Sequence, residues 1–402
     1  MLPSPPEPKP PSRLLYATSA RLGGVGLDNT SHNGALASFR SGFLGKVVAY
    51  GNRQGEIPSR QIRSLGLHPV RLLSNLGSRY YYAAKKHYLD WIASRMLTRG
   101  DYDCFHGWAG ESVRSMIAAR QRGIPVLMDI PTWHRRKRFC PVFASAEERE
   151  ILRTGIEPKR PWREKLEVPL MQVLLEYELA DVILVASEKA RETFLENGFP
   201  PEKLFYVARG VDPEPYHPAD HSPPLFRLGF VGALIKRKGV HTLLEAWHKL
   251  NLKDAELVLV GSVHDEIHPY LEKFSLPSVK VSGFSKNVAE AMREFTAFVF
   301  PSTCEGSAKT TYEAAACGLA QISTRESGDV VVDGLNGRII PPDNLDALCE
   351  AILEFYNNPG RLKEMGQKGR TRILEQYTWE HYRERLVRAY AFAKGRVGQK
   401  WN

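Results

Sequence analysis

No run of eighteen apolar residues occurs anywhere in the 402-residue chain, which excludes a membrane-spanning helix. Cysteine is scarce. Cys104, Cys140, Cys304, Cys317 and Cys349 are an odd number and form no C-x-x-C pair, which speaks against a disulfide framework or a zinc site and for reduced thiols in a cytoplasmic protein. Helix-turn-helix, zinc-finger and RNA-recognition signatures are missing, so nucleic acid is not expected as a partner. The first residues carry no apolar stretch of signal-peptide type; Met1 to Ser12 hold six prolines in twelve positions and read as a disordered tail.

What is present suits two cores. The length and the 43% apolar content fit two domains. Net charge is +10, and the excess gathers in the first half, at Arg53, Arg60, Arg63, Arg71, Arg79, Lys85, Lys86 and Arg135-Arg-Lys-Arg138. Such a surface attracts anionic lipid or phosphorylated substrates; a merely solvated basic face is the plainer alternative.

Two stretches share one plan of apolar strand, glycine-rich turn and helix. The first is Arg13-Leu-Leu-Tyr-Ala17, then Leu22-Gly-Gly-Val-Gly26, then a helix over Asn33 to Gly42. The second is Phe226-Arg-Leu-Gly-Phe-Val231, then Gly232 to Gly239, then a helix over Val240 to Trp247. Strand and helix alternate after each, the pattern of a parallel sheet with crossover helices. Further strands are predicted at 45–50, 104–105, 125–128, 182–185 and 204–207, then at 256–260, 280–281, 297–300, 320–323 and 337–340, with helices over 80–97 and 169–179. The proline-rich stretch from Asp212 to Pro224 reads as the linker. The expected division is a tail over 1–12, a first domain over 13–215, a second over 216–378, and a last helix over 379–402 that packs back on one of the domains.

Chemistry concentrates in the second half. Glu305 and Glu313 stand in Pro301-Ser-Thr-Cys-Glu305-Gly306-Ser307-Ala-Lys-Thr-Thr-Tyr-Glu313, directly after Thr296-Ala-Phe-Val-Phe300. That arrangement predicts a strand, a polar turn and a helix start, whose unpaired N–H groups and positive dipole end suit a phosphate. One carboxylate then sits in the turn and the other two helical turns on. Lys238, beside Arg237, ends a glycine-anchored turn and opens a helix, so its ammonium could meet a diphosphate; Lys-Gly in a helix-start turn is also ordinary surface chemistry.

These ordered segments, together with Asp333-Gly-Leu-Asn-Gly-Arg-Ile-Ile-Pro341, Tyr177 to Glu188 and Arg209-Gly-Val-Asp212, resemble retaining glycosyltransferase family 4 (glycosyl transferases group 1). The resemblance implies an α/β protein of the GT-B fold, two doubly wound Rossmann-like domains facing a central cleft. It implies a donor that is a nucleoside-diphosphate sugar, with a UDP-sugar favoured, no cofactor and no metal. Arg237, Lys238 and Glu305 would carry catalysis. Gly232, Ser307, Ala308 and Lys309 would line sugar and phosphate, Glu313 would hold the ribose, and Gly283 and Phe284 would border the base. Gly23 and Gly24 of the first domain would close over the diphosphate. His106, Trp108 and His134 would be sugar or acceptor contacts, and a glycan or lipid-linked acceptor in surface polysaccharide or glycolipid synthesis is implied, with peripheral contact at the inner face of the cell membrane.

Departures from the family pattern matter. Ala233 stands where a phosphate-binding arginine is common, with Arg237 as the replacement, and His106-Gly-Trp108 keeps one histidine of a frequent His-x-His. Asp101-Tyr-Asp103 spells a metal-binding D-x-D, although a strand-opening turn explains it more plainly. Two alternatives remain: a non-catalytic sugar-nucleotide or glycan-binding relative, and an NAD-linked oxidoreductase. The latter is weakened because Gly24-Val-Gly26 lacks the third glycine of a dinucleotide fingerprint. Tyr80 to Trp91, aromatic and basic at helical spacing, is either a membrane-interface helix or core.

Overall fold

The computed structural model describes residues 10–24, 26–66, 70, 78–134, 170–220 and 223–396. The greater part of the proline-rich tail and the basic run Arg135 to Arg138 lie outside these. Two compact units emerge. Unit 1 comprises residues 1–186, 190–207 and 383–402, and unit 2 comprises 187–189 and 208–382.

Unit 1 holds β1 (Leu14–Leu22), α1 (Leu27–Arg40), β2 (Leu44–Asn52), β3 (Ile62–Ser64), α2 (Ser78–Arg99), β4 (Cys104–Trp108), α3 (Val113–Gln121), β5 (Val126–Asp129), α4 (Leu170–Leu179), β6 (Val182–Val185), α5 (Glu188–Leu195) and β7 (Leu204–Tyr206). Its seven strands run parallel in the order β3-β2-β1-β4-β5-β6-β7. β1 therefore pairs with β2 on one side and with β4 on the other. The order reverses at that point, and crevices for ligands open at the strand ends where such a reversal occurs.

Two elements differ from the sequence expectation. β3 is three residues of Ile-Arg-Ser, too short and too polar to stand out. α1 starts at Leu27 rather than near Asn33, through Asp28-Asn-Thr-Ser-His, residues that favour caps and turns over helix interiors. Packing overrides the propensity: Thr30 to Ser38 are all buried, Thr18 and Ser31 share a hydroxyl hydrogen bond of 3.0 Å, and a Cβ at Gly34 would stand 2.7 Å from the Tyr16 hydroxyl.

The start of α3 is capped by carboxylates from other helices. Asp90 of α2 accepts the amides of Arg114 and Ser115, each at 2.8 Å. Glu176 of α4 accepts the amides of Gly110 and Ser112, the latter at 2.7 Å. The Ser112, Arg114 and Ser115 amides are among the orphan donors that a helix start leaves, and the Gly110 amide belongs to the turn before it.

Unit 2 holds β8 (Phe226–Val231), α6 (Val240–Leu250), β9 (Ala255–Val260), α7 (His268–Lys273), β10 (Val279–Gly283), α8 (Val288–Arg293), β11 (Ala297–Phe300), α9 (Lys309–Ala316), β12 (Ala320–Ser323), β13 (Gly337–Ile339), α10 (Leu345–Asn357) and α11 (Pro359–Gln376). Its six parallel strands follow the order β10-β9-β8-β11-β12-β13. Phe300 of β11 stacks on Phe230 of the neighbouring β8 and on Phe298 of its own strand, and Trp247 of α6 is fully buried with them in one core. The order reverses between β8 and β11, so this sheet's crevice lies at the ends of those two strands.

The last helix, α12 (Trp379–Lys394), starts in unit 2 and ends in unit 1. Within unit 1 its Tyr390 hydroxyl meets His106 Nδ1 at 2.7 Å, and Lys394 pairs with Asp103 at 2.9 Å. Among the described residues no helix is long and apolar enough to cross a membrane.

Candidate active site

The turns after β8 and β11 are joined by the geometry of one glycine. Gly239 has φ +73°, and a Cβ there would stand 2.2 Å from the Pro301 carbonyl oxygen, so only glycine lets the two backbones close up. The carbonyl of Arg237 then accepts from the Thr303 amide at 2.9 Å and from the Ser302 and Thr303 hydroxyls at 3.0 and 3.1 Å. Two turns far apart in sequence become one rigid ledge.

Arg237 Nη1 donates to Glu305 Oε1 at 2.7 Å and also to the Cys304 carbonyl. Lys238 Nζ stands 3.8 Å from the same Glu305 oxygen and 5.0 Å from the Phe300 ring centroid. Burial lowers the Lys238 pKa, and Glu305 opposes that shift while Arg237 adds to it. A half-desolvated cation of this kind interacts strongly with an incoming anion. Arg237, expected to stand in for the cation missing at Ala233, is engaged with Glu305; it acts on a ligand through that carboxylate or by leaving it.

The turn from Glu305 to α9 is built the same way. The Glu305 amide donates to the Glu326 carbonyl at 2.9 Å, the Ala308 amide donates to the Ser327 carbonyl at 2.8 Å, and the Ser307 and Tyr312 hydroxyls meet at 2.7 Å. Of Ser307, Ala308 and Lys309, expected to line sugar and phosphate, Ala308 spends its N–H inside the fold. Along α9, Lys309 and Glu313 form an i,i+4 pair at 2.6 Å. Glu313 is 3% exposed and also takes a hydrogen bond from Tyr216, whose hydroxyl pKa rises through burial first and the Glu313 charge second. Tyr216 was missed in the sequence, because it sits in the proline-rich linker with no pattern to mark it.

Gly232, Arg237, Lys238, Glu305, Ser307, Lys309 and Glu313 thus share the β8/β11 end of one sheet. Gly283 ends β10, two strands away, with Phe284 directly after it, and the link runs through glycines: the Gly261 amide donates to the Gly283 carbonyl at 2.7 Å, and a Cβ on Gly261 would stand 1.8 Å from the Gly232 carbonyl. Phe284 is 73% exposed. It borders a cavity of about 770 Å³ with Arg227, Lys280 and Asn287.

Three expected sugar or acceptor contacts prove to be core. His106 is 0% exposed, bonded to Tyr390, and its pKa falls to about 3 by burial. Trp108 donates to the Tyr16 hydroxyl at 2.9 Å. His134 packs about 5 Å from the rings of Tyr177 and Phe194. In unit 1, Gly23 (φ +82°) and Gly24 do occupy the turn after β1, and a Cβ on Gly24 would stand 2.4 Å from an Asp28 oxygen. Within Asp101-Tyr-Asp103, Asp103 is engaged inside the fold: burial raises its pKa, but bonds from the Ser12 amide, Lys394 and the Arg13 amide outweigh it and bring the pKa to about 2.

Two parallel Rossmann-like sheets in one chain, the second with two cationic side chains and a carboxylate at its switch point, make up a protein of the GT-B architecture. The profile described as Glycosyltransferase Family 4 matches residues 46–215, and that described as Glycosyl transferases group 1 matches residues 226–358. The chain belongs to this glycosyltransferase family. It is 28% identical over 274 residues to alpha-maltose-1-phosphate synthase of Mycolicibacterium smegmatis, covering 59% of this chain and 70% of that protein. It is 27% identical over 173 residues to the capsular polysaccharide biosynthesis glycosyltransferase CapM of Staphylococcus aureus, covering 41% and 46%. The crystal structure of Anabaena Alr3699/HepE in complex with UDP superposes with a TM-score of 0.66 at 17% identity, covering 92% of this chain and 97% of that one. The fold and the activity class expected from the sequence hold, and none of these matches favours the nicotinamide-linked or the non-catalytic alternative.

Proposed function

We propose that the protein transfers a sugar with retention from a UDP-sugar to a hydroxyl of a growing surface polysaccharide or glycolipid, without a metal ion or other cofactor. The observation that carries this reading is the Arg237–Lys238–Glu305 cluster at the β8/β11 ledge, with Glu313 on the helix behind it. Lys238 and Arg237 stabilise the negative charge that develops on the departing diphosphate, and that phosphate takes the acceptor's proton. Glu305, held by both cations, accepts from the donor sugar's hydroxyls, and Glu313 from the ribose. Gly283 and Phe284 border the base, and Gly23 and Gly24 take part from unit 1. The UDP complex of the HepE structure, the alpha product in the name of the maltose-1-phosphate synthase, and the capsular role in the name of CapM support the choice of donor, stereochemistry and pathway. The basic first half supports a cytoplasmic enzyme working against the inner face of the membrane.

A thermal-shift screen of UDP, GDP and ADP, followed by product mass and anomeric configuration with the matching sugars in the presence of EDTA, tests the reading. Inversion, a different base, or activity abolished by EDTA would each overturn the corresponding part. Glu313→Ala is expected to weaken UDP binding about 10- to 100-fold, the worth of a hydrogen bond to a charged group; titration calorimetry that finds unchanged affinity removes Glu313 from the ribose. Arg237→Ala is expected to lower kcat about tenfold while changing UDP affinity less than threefold, because Arg237 orients Glu305 and meets charge that peaks in the transition state. Equal losses in both would make it a simple binding group.

A further inference from the structure

A second cavity, of about 610 Å³, opens on unit 1 where Arg63, Trp91, Arg95, Met96, Arg99 and Tyr102 converge. Gly100 and Tyr102 immediately precede β4, so this is the end of the sheet where β1 and β4 begin. The Gly23 turn follows the other end of β1, nine residues and about 30 Å of strand away.

Helix register builds the cavity. Tyr88, Trp91, Ile92, Arg95, Met96 and Arg99 recur at intervals of three and four along α2 and so form one stripe. Leu89, Ala93 and Leu97 face the core beside it. Tyr88 and Trp91 stack with centroids 5.9 Å apart, and the Arg95 guanidinium lies 5.0 Å from the Trp91 ring. Trp91 is nonetheless 41% exposed. The exposed Arg63 of the edge strand β3 completes the rim. Among the described residues no acidic side chain pairs with Arg63, Arg95 or Arg99; the nearby Asp101 pairs with Arg13 at 4.0 Å.

Three uncompensated guanidinium groups around an indole, a phenol and a thioether fit a ligand with a phosphate on an apolar body. A soluble anion would use the arginines and leave the aromatic wall in water. A phospholipid surface uses both, because guanidinium groups fork onto phosphate oxygens and Trp and Tyr settle at the boundary between headgroup and acyl chain. We propose that this cavity receives the headgroup of an anionic phospholipid and docks unit 1 on an anionic bilayer through α2. The inference deepens the membrane-facing part of the proposed function by naming the surface. Vesicle binding requires no donor sugar, so its outcome stands apart from that of the transfer reaction.

The test is co-sedimentation of the full chain with vesicles of phosphatidylcholine alone and of phosphatidylcholine mixed with phosphatidylglycerol. Binding is expected only to the mixed vesicles, because each cation near an anionic surface strengthens binding about fivefold. Arg95→Glu with Arg99→Glu should weaken it at least about tenfold, Arg95→Gln with Arg99→Gln less, and Trp91→Ala measurably, with thermal melts unchanged as the folding control. Sugar-nucleotide hydrolysis in solution should be unaffected by the arginine changes. Equal binding to both vesicle types, or full binding by the Arg95→Glu, Arg99→Glu variant, overturns the proposal. So does an absence of vesicle binding combined with stabilisation by inorganic phosphate, which would mark a soluble-anion site.

Discussion

Alanine at Lys238 is expected to lower kcat/KM about 10²- to 10³-fold, the loss seen when one preorganised donor is removed from a site of developing negative charge. The size follows from the setting. The side chain is 17% exposed, its ammonium is partly stripped of water, and it is closely packed: a Cβ at Gly232 would stand 3.0 Å from Nζ. A cation in so shielded a place costs little further desolvation when the diphosphate arrives, so its attraction acts almost undiluted. Removing it also leaves Glu305 with Arg237 alone, which weakens the hold on the carboxylate proposed to meet the sugar. Steady-state kinetics with the donor found in the screen, beside a thermal melt to show that the variant folds, decide the matter. A kcat/KM within threefold of the parent would take Lys238 out of the machinery.

Glu176→Ala is expected to destabilise unit 1 by about 2–6 kcal/mol, since it orphans two buried amides at about 1–3 kcal/mol each. For a unit of this size that is a fall in melting temperature on the order of 10 °C. The same carboxyl gives a pH dependence. Burial, opposed by the Ser112 and Gly110 amides and reinforced by the charges of Asp90 and Glu111, pushes its pKa up to about 8. Asp90 moves the same way, to about 6. A folded-state pKa above the unfolded value means that the native state holds the proton more tightly, so this contribution is full below the ordinary carboxylate range and is lost as pH rises toward 8.

Two buried groups act in the opposite sense, each outside the interval from about pH 6.5 to 8. His106, brought to about 3, costs stability as pH falls below the ordinary histidine range of about 6.5. Lys203, brought to about 8, adds stability as pH rises from there toward its unfolded value. Urea titrations between pH 6.5 and 8 therefore isolate the carboxyls. Stability should fall across that interval in the parent and less steeply in Glu176→Gln, which keeps one acceptor oxygen and cannot ionise. Identical slopes would mean that Glu176 stays ionised throughout, held so by its two amides.

Much of this protein was legible from local pattern. β6 and β11 fall on the expected residues, the Gly239 turn and the helix after it are where the glycine spacing puts them, and the Glu305 turn does open a helix at Lys309. Each of these depends on residues within one strand, turn and helix, where alternation, glycine and capping chemistry act over short range. The misses share the opposite trait. α1 begins six residues early because Tyr16 and Thr18 of β1 cover a polar stretch that propensity alone leaves unwound. The family resemblance implied ligand contacts at His106, Trp108 and His134; the hydroxyls and rings that absorb them come from Tyr390, Tyr16, Tyr177 and Phe194, remote in sequence.

The sequence by itself determined the parallel α/β class, the family, and the order of the turns that carry Lys238, Glu305 and Glu313, because each such turn is a short-range object with its own glycines and polar groups. Only the tertiary structure decided how those turns meet. Arg237 and Glu305 are 68 residues apart and touch because β8 and β11 are neighbours at the point where the strand order reverses. Tyr216 reaches Glu313 from the proline-rich linker, in which no pattern singles it out. Adjacency of this kind follows from which strands pair, and pairing is settled by the packing of the whole sheet rather than by any one segment of chain.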